Sequence, residues 1–258
     1  MPFAQFGDLR THYELRGSAR PVLVFSNSLG TDFSMWDPQM AQLTRHFRVL
    51  RYETRGHGQS TVTAGDYTID QLGRDVLDLL DTLHLERVHF CGLSLGGIIG
   101  IWLGLNAPHR FDRLVLCNTA ARIGSAETWN RRIASVRKEG MKRVATAVIE
   151  RWFTPEFRSA FSERVAKAQA MLETAPPAGY AACCAAIRDM DLRETVSQIK
   201  TPTLIIYGAQ DPVTPPADAE FLNERIGGSV KLELNAAHLS NVEQPDAFTA
   251  AVSSFLTE

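Results

Sequence analysis

The sequence predicts an α/β protein, with a mostly parallel central sheet flanked by helices and one inserted helical cap. Two observations predict the layered part. Short β-branched and aromatic runs alternate with helix-length segments, the rhythm of parallel strands joined by crossover helices, and apolar residues in those segments recur at helical spacing. A third predicts the cap: between about residues 121 and 198 no convincing strand occurs, and Ala-rich helical segments follow one another until Lys200-Thr201-Pro202.

In chain order the candidate strands are PVLVF (21–25), FRVLRY (47–52), RVHFCG (87–92), RLVLCN (113–118), TLIIYG (203–208) and VKLEL (230–234). The segment IDQLGRDVLDLLDTLHL (69–85) puts Leu72, Val76, Leu79, Leu80 and Leu83 on one stripe with its charges opposite, as in a helix packed on a sheet. The most apolar tract, GGIIGIWLGL (96–105), is about half the length needed to cross a bilayer and reads as a buried helix, so no membrane span is expected. These elements divide the chain into a core of 1–120 and 199–258 and a cap of 121–198. No repeat or low-complexity tract is evident.

With 258 residues, 45% hydrophobic and 22% charged, the chain has the composition of a globular protein with one sizeable core, which excludes disorder, collagen and coiled coil. Its 27 Lys and Arg against 29 Asp and Glu give a net charge of −2, no basic field for a phosphate backbone, so nucleic acid is not an expected partner. The charge is unevenly spread. Residues 121–170 hold 11 Lys and Arg, 5 Glu and no Asp, a local +6. The N-terminal MPFAQFGDLRTHYE has neither a cationic nor a continuous apolar region of a secretory signal, which points to the cytoplasm. Cys91, Cys117, Cys183 and Cys184 form no C-x-x-C pair or zinc-spaced cluster and read as reduced, packed thiols.

The sharpest chemical signal is Gly92-Leu93-Ser94-Leu95-Gly96, between the strand RVHFCG and the apolar helix. A strand that turns abruptly into a helix forces the central serine into strained backbone and its hydroxyl out above the sheet, while the glycines remove colliding side chains. A serine hydroxyl needs a base, and the base needs an orienting acid. His238 is the one histidine beyond the last candidate strand, in LNAAHLSNVEQPDAF, and Asp211 follows TLIIYG in the turn-rich GAQDPVTP. Asp211 stands at that strand's carboxyl end, where open α/β sheets place their ligands, and His238 precedes a terminal helix. Asp32 is the runner-up acid. His57, in the Gly-bracketed RGHGQS, is read as supporting a turn, and the remaining histidines as surface or packing residues.

A tetrahedral intermediate needs backbone N–H donors, one from the residue after the nucleophile and one from the loop after an early strand. These are assigned to Leu95 and, within Ser26-Asn27-Ser28-Leu29-Gly30, to Leu29. In AETWNRRIASVR, Trp129, Ile133 and Val136 form a helical stripe that Arg132 borders while Arg131 points nearly opposite. Arg132, Trp129 and Trp152 are therefore the candidate pocket residues of the cap. No G-x-G-x-x-G, Walker or H-E-x-x-H motif occurs, so neither metal nor cofactor is implied.

These residues together resemble the α/β-hydrolase superfamily along the whole chain. They are most similar to the 3-oxoadipate enol-lactonases, through SNSLGTDFSMWDPQ (26–39), RYETRGHGQS (51–60), CGLSLGG (91–97) and YGAQDPVTP (207–215). The resemblance implies a triad of Ser94, Asp211 and His238 with oxyanion donors at Leu29 and Leu95. It also implies hydrolysis of a five-membered enol-lactone bearing a carboxylate arm, for which Arg132 is the candidate charge-assisted clamp, with Trp129 and Trp152 candidates to close the pocket. Many superfamily members carry His-Gly where this chain has Asn27-Ser28. A broader carboxylesterase or C–C bond hydrolase using the same triad is the alternative enzyme, and a ligand receptor on the same scaffold the alternative outside enzymes.

Overall fold

The computed structural model describes residues 2–258. Eight strands form one sheet: β1 (Phe3–Phe6), β2 (Leu9–Arg16), β3 (Val22–Ser26), β4 (Arg48–Tyr52), β5 (Val88–Leu93), β6 (Phe111–Cys117), β7 (Thr203–Gly208) and β8 (Val230–Leu234). Their spatial order is β1-β2-β4-β3-β5-β6-β7-β8, parallel from β4 through β8 and antiparallel for the pairs β1–β2 and β2–β4. Helices cover both faces, so β3, β5 and β7 are buried at every position and read as continuous apolar runs.

The six strands read from the sequence are all present, within a residue or two at each end. The two N-terminal strands were not foreseen. In β2, LRTHYELR, three of the four buried positions are polar, Thr11, His12 and Glu14, which hides the alternation a strand normally shows. Two of those polar groups face charged partners: His12 Nδ1 lies 2.9 Å from Glu53, and Glu14 accepts from Arg51.

Helix α1 (Asp37–Leu43) follows a short 3₁₀ turn in which Trp36 stacks on Phe25 of β3, ring centroids 4.2 Å apart. Helix α2 (Ile69–Thr82) is capped by Thr68, whose hydroxyl accepts the Gln71 N–H at 3.1 Å, and buries Leu72, Val76, Leu79 and Leu80 as its periodicity predicts. Its charges are not all opposite that stripe: Asp75 is buried and takes a two-pronged bond from Arg55 at 2.8 and 2.6 Å. Helix α3 (Leu95–Asn106) is buried almost throughout.

Between β6 and β7 the chain leaves the sheet for five helices, α4 (Ala126–Glu139), α5 (Lys142–Trp152), α6 (Pro155–Ala160), α7 (Ser162–Thr174) and α8 (Pro177–Asp189). Helix α9 (Pro216–Arg225) joins β7 to β8, and α10 (Ser240–Glu243) and α11 (Pro245–Thr257) complete the chain. Every parallel strand points its carboxyl end at the same edge, and the loops gathered there carry Ser28, Leu29, His57, Ser94, Asn118, Asp211 and His238.

Candidate active site

Ser94 is the single residue between β5 and α3, and it has φ +57° and ψ −112°. A side chain at positive φ is strained, so the surroundings must hold it there. They do so through three bonds: Ser94 N–H donates to Cys117 at 2.9 Å, and the Ser94 carbonyl accepts from Ile98 N–H at 3.0 Å and from the Thr119 hydroxyl at 2.8 Å. The flanking glycines are required by contact. A Cβ on Gly92 would lie 2.1 Å from the Gly96 carbonyl oxygen, and one on Gly96 would lie 2.2 Å from that of Ser26.

Behind the serine, Asp211 is almost fully buried and accepts five hydrogen bonds. Its Oδ1 takes the N–H groups of Val213 and Thr214, at 2.8 and 3.1 Å. Its Oδ2 takes the Thr214 hydroxyl at 2.7 Å, Asn118 Nδ2 at 2.9 Å and His238 Nδ1 at 2.8 Å. Burial works to raise the carboxyl's pKa, yet the charge and hydrogen bond of His238, with the bonds from Asn118 and Thr214, hold it below the ordinary carboxylate value. Because the carboxylate only accepts, His238 Nδ1 carries the proton and Nε2 keeps its lone pair in the neutral ring.

Ser94 and His238 line one cavity, without a direct hydrogen bond between them among the described residues. Such bonds are often long before substrate binds. Asp32 is placed elsewhere: it caps the 3₁₀ turn by accepting Ser34 N–H at 2.8 Å.

The loop after β3 is stitched to the serine turn. Gly96 N–H donates to the Asn27 carbonyl at 3.0 Å, and the Asn27 side chain bonds the Tyr52 carbonyl at 2.8 Å and the Trp36 indole at 2.9 Å. Gly30, at φ +81°, donates its N–H to His57 Nε2 at 2.9 Å. Burial lowers the His57 pKa to about 4, so that nitrogen is an acceptor at neutral pH. His57 thus supports a turn, and the turn it supports is the Leu29 loop. Neither Leu29 N–H nor Leu95 N–H donates a hydrogen bond among the described residues. Leu29 lines the cavity; the Leu95 side chain is fully buried, and its N–H stands at the positive end of α3.

Trp129, Arg132 and Trp152 all line the cavity that holds Ser94. The Trp129 indole is fixed by the Ile123 carbonyl at 2.7 Å, and the Arg132 guanidinium lies 5.1 Å from that ring's centroid. Arg131 faces outward toward Glu127, 4.0 Å away.

Seven lining residues are not among the sequence candidates, and three of them are polar: Ser28, Arg151 and Tyr180. Arg151 had a legible signal, since Arg151 and Arg132 both lack the acid at i−4 that Arg131 has in Glu127. Neither guanidinium has a carboxylate partner among the described residues, and the Arg151 pKa is lowered by burial and then by the charge of Arg132. No group of three or more His, Cys, Asp or Glu side chains placed to hold a metal ion occurs among the described residues.

A strained serine at a strand-to-helix turn, beside a buried histidine oriented by a carboxylate at the carboxyl edge of a parallel sheet, defines a hydrolase of the α/β class. The family model for the alpha/beta hydrolase fold matches residues 21–245, and the chain belongs to that family. Within it the chain is similar to 3-oxoadipate enol-lactonase 2 of Acinetobacter baylyi, with 46% identity over 250 residues, 96% of this chain and 94% of that protein. It is 42% identical to 3-oxoadipate enol-lactonase 1 of the same organism over 236 residues, 92% of this chain and 88% of that one. The crystal structure of the enol-lactonase from Burkholderia xenovorans LB400 matches with a TM-score of 0.98 and 46% identity, covering all of both chains. No helix among the described residues is long and apolar enough to cross a membrane.

Proposed function

We propose that the protein hydrolyses 3-oxoadipate enol-lactone, a five-membered enol-lactone bearing a carboxylate arm, to 3-oxoadipate through Ser94, His238 and Asp211. The names of the two Acinetobacter relatives and of the Burkholderia structure support the substrate. The observation that carries the reading is the pair of arginines without carboxylate partners, Arg132 and Arg151, in the wall of the cavity that holds Ser94 and His238. Two guanidinium groups of like charge in the wall of one cavity, that of Arg151 opposed by Arg132, gain most from an anionic ligand, as the carboxylate arm supplies. Residues 121–198 act in this reading as the cap, bringing Trp129, Arg132, Arg151 and Trp152 over the serine.

In the proposed reaction His238 Nε2 takes the Ser94 proton as the oxygen attacks the ring carbonyl, and Asp211 holds the imidazole and stabilises its cation. The Leu29 and Leu95 N–H groups receive the oxyanion. The acyl C–O bond then breaks; the leaving enol oxygen takes its proton from His238 and the enol tautomerises to a ketone. Water, deprotonated by His238, attacks the acyl group and frees Ser94. The four buried thiols fit a reducing cytoplasm.

The decisive assay follows loss of enol-lactone absorbance with purified protein beside Ser94→Ala and His238→Ala. Turnover by the parent protein and at least a thousandfold loss, on the order expected for triad members, in both variants is the expected result. Turnover of neutral aryl esters with none of the lactone would replace the substrate assignment with that of a general esterase.

A further inference from the structure

Of the buried side-chain polar atoms that lack a hydrogen bond among the described residues, Ser28 Oγ alone belongs to a residue lining the Ser94 cavity. Ser28 is 2% exposed. Its backbone is fully engaged: the N–H meets Met35 Sδ at 3.4 Å, and the carbonyl accepts from the N–H and the hydroxyl of Thr31, at 3.2 and 2.8 Å. The backbone is thus fixed while the hydroxyl is unused. An unpaired buried hydroxyl costs about 1–3 kcal/mol, which makes its presence here a question of function and not of folding.

We propose that the Ser28 hydroxyl is a third oxyanion donor, bonding the substrate carbonyl oxygen as Ser94 attacks. A tetrahedral oxyanion has three lone pairs, and the Leu29 and Leu95 amides address two. Ser28 immediately precedes Leu29 on the same loop, and that loop is tied to the serine turn through Asn27 and Gly96. The leaving enol oxygen draws its proton from His238 and has no need of this hydroxyl. The inference rests on the proposed triad. It adds a catalytic residue to that reading, because the hydroxyl touches the reacting oxygen itself.

The test is Ser28→Ala, with Ser28→Cys as a weaker donor, assayed on the enol-lactone and p-nitrophenyl acetate beside Ser94→Ala. Removing a group that is unpaired in the free enzyme leaves Tm unchanged or raises it, whereas loss of one oxyanion donor lowers kcat by roughly 10- to 100-fold with KM within about twofold. Ser28→Cys falls between. A kcat within about twofold of the parent overturns the inference, as does a rise in KM at unchanged kcat, or a fall in Tm large enough to account for the lost activity. If Ser94→Ala is inactive while Ser28→Ala is not impaired, the triad reading stands and only the role of Ser28 fails. Activity retained in Ser94→Ala removes both.

Discussion

Asn118 and His238 bond the same oxygen of Asp211, from 2.9 and 2.8 Å. The second bond of Asn118 Nδ2 goes to the Ala237 carbonyl at 3.1 Å, so one amide ties the acid to the segment that carries the histidine. Asn118 itself sits at φ +43°, a conformation that asparagine tolerates better than most residues. Asp211→Asn, which disturbs the tautomer of His238, is expected to lower kcat by about 10⁴ with the fold retained, as read by kinetics and circular dichroism.

Asn118→Ala is expected to lower stability by about 1.5–3 kcal/mol at neutral pH, the usual worth of a hydrogen bond to a charged group. The Asp211 carboxyl titrates lower in the folded protein than in the unfolded chain, so its contribution is present above about pH 4 and is lost as pH falls through the depressed folded value. The denaturation midpoints of the parent and Asn118→Ala therefore converge in acid. Parallel curves down to pH 2 would count against this.

Arg132→Ala and Arg151→Ala are each expected to raise KM for the anionic lactone by about 10- to 100-fold, the range of a charge-assisted hydrogen bond. A neutral ester should be nearly unaffected. Arg151→Ala should also cost less stability than an average buried arginine, because it relieves repulsion from Arg132. Equal effects on the two substrates would refute the clamp.

His57→Leu removes the acceptor for Gly30 N–H. It is expected to lower kcat by about tenfold or more through loss of aim at the Leu29 amide, with His57→Gln, which keeps an acceptor near the same place, recovering most of it. Steady-state kinetics at matched temperature relative to Tm separates this from simple destabilisation.

Gly96→Ala drives a methyl group into the Ser26 carbonyl, and relief requires the loop that carries Leu29 to retreat from the serine turn. A loss of about 1–3 kcal/mol in stability, together with a larger loss of kcat, is expected from chemical denaturation and kinetics.

Asp218, half-buried on α9, has its pKa raised to about 6 by burial and by the charge of Asp211. The folded protein holds this proton more tightly than the unfolded chain, so stability falls as pH rises from about 4 through 6. Asp218→Asn is expected to flatten the Tm profile across that window and to raise Tm at pH 7. A steeper profile would contradict the assignment.

Much of this is legible in the sequence. The Ser94 turn could be read because its glycines, its strand and its apolar helix are contiguous, and His238 and Asp211 because each follows a recognisable strand. Arg132 and Trp129 were legible from helical phase. The hairpin of β1 and β2 was not, because the inward-facing His12 and Glu14 are paired with partners about forty residues away, which no local pattern displays. Ser28 escaped for a similar reason: what distinguishes it is a missing bond, and an absence of bonding has no signature in a string of letters.

The five-helix excursion leaves from β6 and returns at β7, strands that pair directly, Leu114 opposite Thr203 and Cys117 opposite Ile206. Its two anchor points are thus fastened to neighbouring, hydrogen-bonded strands of the sheet. Exchange of those helices leaves the pairing of β6 with β7 in place, provided that their bonds to the loops at the sheet's carboxyl edge, such as Leu239 N–H on the Trp152 carbonyl at 3.0 Å, are kept. A chimera carrying a related enzyme's excursion on this sheet should keep its reactive machinery and acquire the donor's taste in acyl groups.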